Sequence, residues 1–186
     1  MLVVMGLAYG YAENYEPPLK KDRVWPDVPP AAATMATLVG MNVVVYLLWK
    51  FPPAWRMLNR YFINVTLYPR ALGIVGCIFS HQNLKHLATN MAVLWYTGTR
   101  CKLSLYGKKR KTEQSPGLDF ADGVARVVHD DIGRGNFLAL YMVSGVVGSM
   151  TSLTTQVLLG RLTTSSLGAS VSVLGVIAAW LTIHSK

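Results

Sequence analysis

The sequence predicts an all-α fold, a polytopic bundle of membrane-spanning helices, and three observations carry that expectation. Of 186 residues, 52% are hydrophobic and only 15% charged, where a soluble domain carries nearer a quarter charged. Two runs, "AAATMATLVGMNVVVYLLW" (31–49) and "FLALYMVSGVVGSMTSLTTQVLL" (137–159), contain no charge at all. Each approaches the roughly 20 apolar residues that a helix needs to cross a bilayer core. The basic residues, which give a net charge of +9, gather between the apolar runs.

Taken in order, residues 1–30 form an N-terminal segment and a linker. The opening "MLVVMGLAYGYA" is apolar but lacks the basic leader of a secretory signal, and it reads as the remnant of a longer upstream span. Residues 13–30 hold five of the nine prolines and cannot stay helical for long. The first span is expected at 31–49. The stretch 50–83 is too basic to span and too aromatic for a free loop, with Trp55, Tyr61, Phe62 and Tyr68 beside Arg56 and Arg60. Its expected place is the membrane interface.

A second span is expected at 84–100, a third at 137–159 and a short fourth at 168–184. The segment between, 101–136, is polar and charged in both signs and reads as a solvated, basic insertion. With four spans, Lys20, Lys21, Arg23 and "GKKRK" (107–111) share one membrane side with Arg126 and Arg134. The excess of Lys and Arg makes that side the cytosol or matrix face. These basic residues sit in loops and are not interleaved with aromatics on a folded face, so no nucleic-acid partner is expected; the partner is the lipid bilayer. Cys77 and Cys101 would lie on opposite sides of the second span, and no disulfide is expected between them.

Polar residues interrupt the apolar pattern at two places. In "SHQNLKHLATN" (80–90), His86 and Asn90 stand four residues apart and share a helix face, with His81 on the loop leading in. Intramembrane polar groups usually face a bundle interior or a wet cavity, although such residues at a helix start can equally be satisfied by water and lipid phosphate. A zinc site is not expected, because His-x4-His turns the two rings about 140° apart and Asn is a poor zinc ligand. In "SSLGASVS" (165–172), a loop of small residues delivers Ser170 to the start of the last helix, where a serine is most often a simple cap. Gly168, Ser172, Gly175 and Ala179 then form a stripe of small residues. Ser144 and Gly148 repeat the spacing on the preceding span, which permits close helix approach. Both polar clusters open on the same membrane side.

These residues resemble the rhomboid intramembrane serine proteases: "SHQNLKHLATN" is similar to their His-x4-His-x3-Asn motif, and "LGAS" to their Gly-x-Ser nucleophile loop. Within the family the chain resembles the mitochondrial presenilin-associated rhomboid-like branch and its fungal relatives, through "AWRMLNRYF" (54–62), "FLALYMVSGV" (137–146) and "SLGASVSVLGVIAA" (166–179). The resemblance implies a rhomboid-like bundle with about four of the six core helices, residues 31–186 forming a partial rhomboid domain. It implies Ser170 as nucleophile, His86 and Asn90 as oxyanion donors, Gly168 in the loop, His81 near the site entrance, and no cofactor or metal. Substrates would be transmembrane proteins cut within the mitochondrial inner membrane.

Two features depart from the pattern. The family's general base, a histidine on the sixth core helix, is not found, and His184 lies fourteen residues beyond Ser170, about 21 Å along a helix. Val171 stands where the family usually has glycine. The expectation is therefore an incomplete protease chain, inactive alone, or a catalytically dead rhomboid-like protein that binds client helices. A transporter or scaffold unrelated to rhomboids would leave both motifs to chance.

Overall fold

The computed structural model describes residues 2–81, 83–98, 124–166 and 168–184. Cys101, the basic run 107–111, most of the expected insertion and the side chain of His184 lie outside the described residues.

Helix α2 (Pro30–Leu48) opens on a proline in its first turn, where the missing N–H is no loss. It is an apolar helix long enough to cross a membrane. The second such segment is Val128–Leu158, the larger part of α6 (Val124–Leu158). Helix α6 corrects the expected boundary: the polar residues before 137, assigned to the insertion, are helical from Val124 onward. Gly133, at φ 78° and ψ 162°, breaks the helical path between this polar start and the apolar half. Val128 and His129, one apolar and one polar and both buried, explain why the helix continues upstream of the uncharged run: this part has a protein neighbour and needs no apolar circumference.

Gly160 stops α6. Its φ of +68° allows the Arg161 N–H to donate to Gln156 O and the Gly160 N–H to Val157 O, the paired closure of a Schellman cap. Two shorter apolar helices flank the spans, α1 (Leu2–Glu13) and α7 (Ser170–His184). Helix α5 (Leu84–Gly98) is less apolar and buries Leu87, Asn90, Met91 and Leu94 on one face.

Between α2 and α5 the chain forms α3 (Trp55–Tyr61), strand β1 (Asn64–Val65), α4 (Ala71–Gly76) and a 3-10 turn, Cys77–Phe79. This stretch is more deeply packed than a purely interfacial segment. Leu58, Asn64 and every residue from Cys77 to His81 are buried, while Trp55 and Tyr68 stay exposed. A Cβ on Gly76 would overlap the Tyr61 carbonyl, so glycine is what lets α4 lie directly on the end of α3.

The tightest helix pair is α6 with α7. A Cβ at Gly145 would overlap Ser172 Oγ, one at Gly148 would overlap Val171, and one at Gly175 would overlap Ser144. The small-residue stripe thus lets the two backbones approach closely, which is how helices gain contact where no hydrophobic drive separates protein from lipid. Asn42 and Tyr141, both fully buried, face each other across α2 and α6.

Candidate functional site

Ser170 begins α7, and what places it is the loop that precedes it. Strand β2 (Ser165–Ser166) pairs antiparallel with β1, Asn64 opposite Ser166 and Val65 opposite Ser165. Thr66 extends the joint, its N–H reaching Thr164 O at 3.2 Å and its hydroxyl meeting Thr164 O and Gln156 Oε1, both at 3.1 Å. After this bridge the Gly168 N–H donates to the Cys77 carbonyl at 2.9 Å. The loop is therefore anchored by backbone bonds to the segment between α3 and α5.

Gly168 has φ +131°, a conformation open to glycine and strained for other residues. Its missing side chain also leaves room for His86: a Cβ there would lie 2.9 Å from His86 Nε2 and 3.9 Å from Ser170 Oγ. A single point in space thus neighbours both the imidazole and the hydroxyl. The structure brings Ser170, Gly168 and His86 together.

Asn90 and His81 form the other half. The Asn90 Nδ2 donates to His81 Nε2 at 3.1 Å, and the His81 and His86 rings pack with centroids 5.4 Å apart. An amide N–H given to Nε2 requires the proton on Nδ1, hence a neutral imidazole. The electrostatics agree: burial, then repulsion from His86, pushes His81 down from 6.5 to about 4, opposed in part by the Phe79 backbone. The Nδ1 atom faces that backbone without a partner at bonding geometry.

One expectation changes here. His81 was expected near an entrance, yet its ring is buried, 2% exposed, because the turn Cys77–Phe79 folds it under α5. His86 and Asn90 both meet His81, His86 by ring packing and Asn90 through its amide, but they differ in burial: His86 is exposed and also neighbours Gly168, while Asn90 is buried. Four residues advance a helix by about 40° beyond one turn, enough to put one side chain on the buried face and the other at its edge.

Two supporting residues were not singled out from the sequence. Asn83 Oδ1 accepts the His86 N–H at 2.8 Å, capping α5; an asparagine just ahead of an apolar-periodic helix was the available signal. Ser80 Oγ accepts the Trp49 indole N–H at 2.8 Å, a pairing across 31 residues that no local pattern announces. Val171, 40% exposed, rests on Gly148, next in the chain to Ser170. Among the described residues no group of three or more His, Cys, Asp or Glu side chains converges as a metal site would require.

Residues 123–186 match the family model of the rhomboid domain. The chain is 34% identical over 154 residues to "Rhomboid protein 1, mitochondrial" of Saccharomyces cerevisiae, covering 80% of this chain and 36% of that protein. It is 30% identical over 159 residues to "Presenilin-associated rhomboid-like protein A, mitochondrial" of Danio rerio, covering 85% and 34%. With "Presenilin-associated rhomboid-like protein, mitochondrial" of Homo sapiens the identity is 28% over 160 residues, covering 83% and 34%. The chain spans about a third of the length of the curated relatives it matches. No solved structure matches it. The domain match, the mitochondrial relatives and the apolar helical bundle together make this an integral mitochondrial membrane protein that belongs to the rhomboid family.

Proposed function

We propose that this chain carries the nucleophile and oxyanion half of a rhomboid-type intramembrane serine endopeptidase acting on transmembrane helices in the mitochondrial inner membrane. The observation that supports this most is the shared neighbourhood of His86 Nε2 and Ser170 Oγ around Gly168. In this reading Ser170 attacks the scissile carbonyl, and the negative charge that develops on its oxygen is met by His86, Asn90 and the Ser170 backbone N–H. Donors held in place before the reaction stabilise that charge most where water is scarce. The serine proton needs a base. His81 is a poor candidate, since its Nε2 is engaged by Asn90.

One observation favours a second reading, a rhomboid-like protein that holds client helices without cutting them. Val171 places a branched side chain next to the nucleophile, against Gly148. Fluorophosphonate labelling of the membrane-embedded chain, compared with Ser170→Ala, separates the two. Labelling that the substitution abolishes is the expected result for an activated serine. Absence of labelling in the unsubstituted chain means that it is not an enzyme by itself, which leaves the client-holding reading and that of an incomplete protease chain.

A further inference from the structure

At the end of α2 and α6 far from Ser170 lies a cavity of about 570 Å³, within the range of roughly 300–1,000 Å³ typical of small-ligand sites. The end of α1, the proline-rich linker, the first turns of α2 and the break in α6 enclose it. Since the apolar part of α2 begins at Pro30 and that of α6 at Val128, the cavity lies at the depth where lipid headgroups meet the hydrocarbon. Nothing in the proposed chemistry uses it.

Its lining is mixed, with Ala33, Val28, Tyr15 and Trp25 alongside Arg23, Arg134, His129 and Asn136. Two carboxylates also reach the lining, Asp22 and Asp130. Asp130 stands 3.3 Å from His129 Nδ1, and Arg23 Nε donates to the Pro18 carbonyl at 3.2 Å. Arg134 is different: its Nε is buried without a partner, an unmet donor that costs free energy until an acceptor arrives. Gly133 and Gly135 border the same space, so the break in the helical path of α6 adjoins Arg134.

We infer that the cavity binds a phosphate-bearing headgroup. Arg134 and the first turn after Gly133 take the phosphate, and the glycerol or acyl portion lies against Trp25, Tyr15 and Ala33. A guanidinium matches two phosphate oxygens at once, and Trp and Tyr suit the boundary between water and lipid. The same chemistry is offered by an anionic phospholipid and by a soluble phosphate ester.

The test is native mass spectrometry of the full chain taken from phosphatidylcholine vesicles with and without phosphatidylglycerol. Arg134→Gln and Ala33→Phe are compared with the unsubstituted chain, the second filling the cavity while leaving every charge in place. Phosphatidylglycerol should stay bound to the unsubstituted chain and fall about tenfold or more in each variant, as loss of a charge-assisted contact implies. Competition by glycerol phosphate would identify a soluble ester as the ligand, and retention in its presence a lipid. Should Arg134→Gln unfold, Ala33→Phe still decides. Equal retention by the unsubstituted chain and the folded variants, or equal retention of phosphatidylcholine, overturns the inference.

Discussion

At the Ser170 end, hydrogen bonds join segments far apart in the chain: Thr66 to Thr164, 98 residues on, and Gly168 to Cys77. At the cavity end the linker bonds mostly within itself, Arg23 to Pro18 and Lys20 to Asp27 at 3.7 Å, both exposed. Thr34 to His129, at 3.2 Å, is the buried exception. One end is tied by backbone bonds and by several glycines that admit no side chain; the other has one such glycine, Gly135 against Tyr15, and otherwise side-chain contacts around an open volume. The difference suits the two proposed tasks. Preorganised donors need a loop that cannot drift, whereas a ligand cavity needs walls that leave space.

Substitutions can break this contrast, and the largest effect is expected at the tight end. Gly145→Val would overlap Ser172 and crowd Ile78, whose Cδ1 lies 2.8 Å from the added Cβ. It should cost about 3 kcal/mol, read from unfolding in mixed micelles. A cost under about 0.5 kcal/mol there would mean that the α6–α7 contact is not close-packed.

Gly168→Ala comes next. It meets His86 Nε2 and forces an alanine to positive φ, for about 1–2 kcal/mol. If the serine is activated, labelling of Ser170 should fall at least about tenfold. Thr66→Val removes the hydroxyl bonds to Thr164 and Gln156 and should cost about 1 kcal/mol, with faster amide exchange around Thr164.

Acidification should act on the same end more gently. His81 titrates near 4 when folded and near 6.5 when exposed, so the unfolded chain takes up its proton first. Stability is then level above about 6.5 and declines as the pH falls toward 4, and His81→Gln should flatten the decline. An unchanged slope in that variant would assign the pH dependence to other groups. The smallest effect belongs to Gly40→Ala, where nothing stands within 4 Å of an added Cβ. It should stay within about 0.5 kcal/mol or stabilise slightly, since alanine is the better helix former. If Gly40→Ala were as costly as Gly145→Val, the contrast between tight and open positions would fail.

Much of this was legible in the chain because it is local. Uncharged apolar runs reveal α2 and the larger part of α6, and a proline at its start marks the beginning of α2. The spacing of Ser144 and Gly148, and of Ser172 and Gly175, marks the faces along which α6 and α7 meet. The candidate site residues were also legible as candidates, since Ser170, Gly168, His86, Asn90 and His81 stand in two short motifs. Helical periodicity also put His86 and Asn90 on one face, where both meet His81; it did not show that the offset of about 40° leaves His86 exposed and Asn90 buried.

By itself, the sequence determined that the chain is a helical membrane protein of the rhomboid family and which side chains are available for chemistry, because hydropathy and motif spacing act over a turn or two. Only the tertiary structure decided that Asn90 bonds to His81, that β1 and Thr66 hold the loop before Ser170, that α6 begins at Val124, and that a cavity opens beside Arg134. Each of these joins groups on separate elements. Such pairings form only when the helices close on one another and burial makes an unmet hydrogen bond costly.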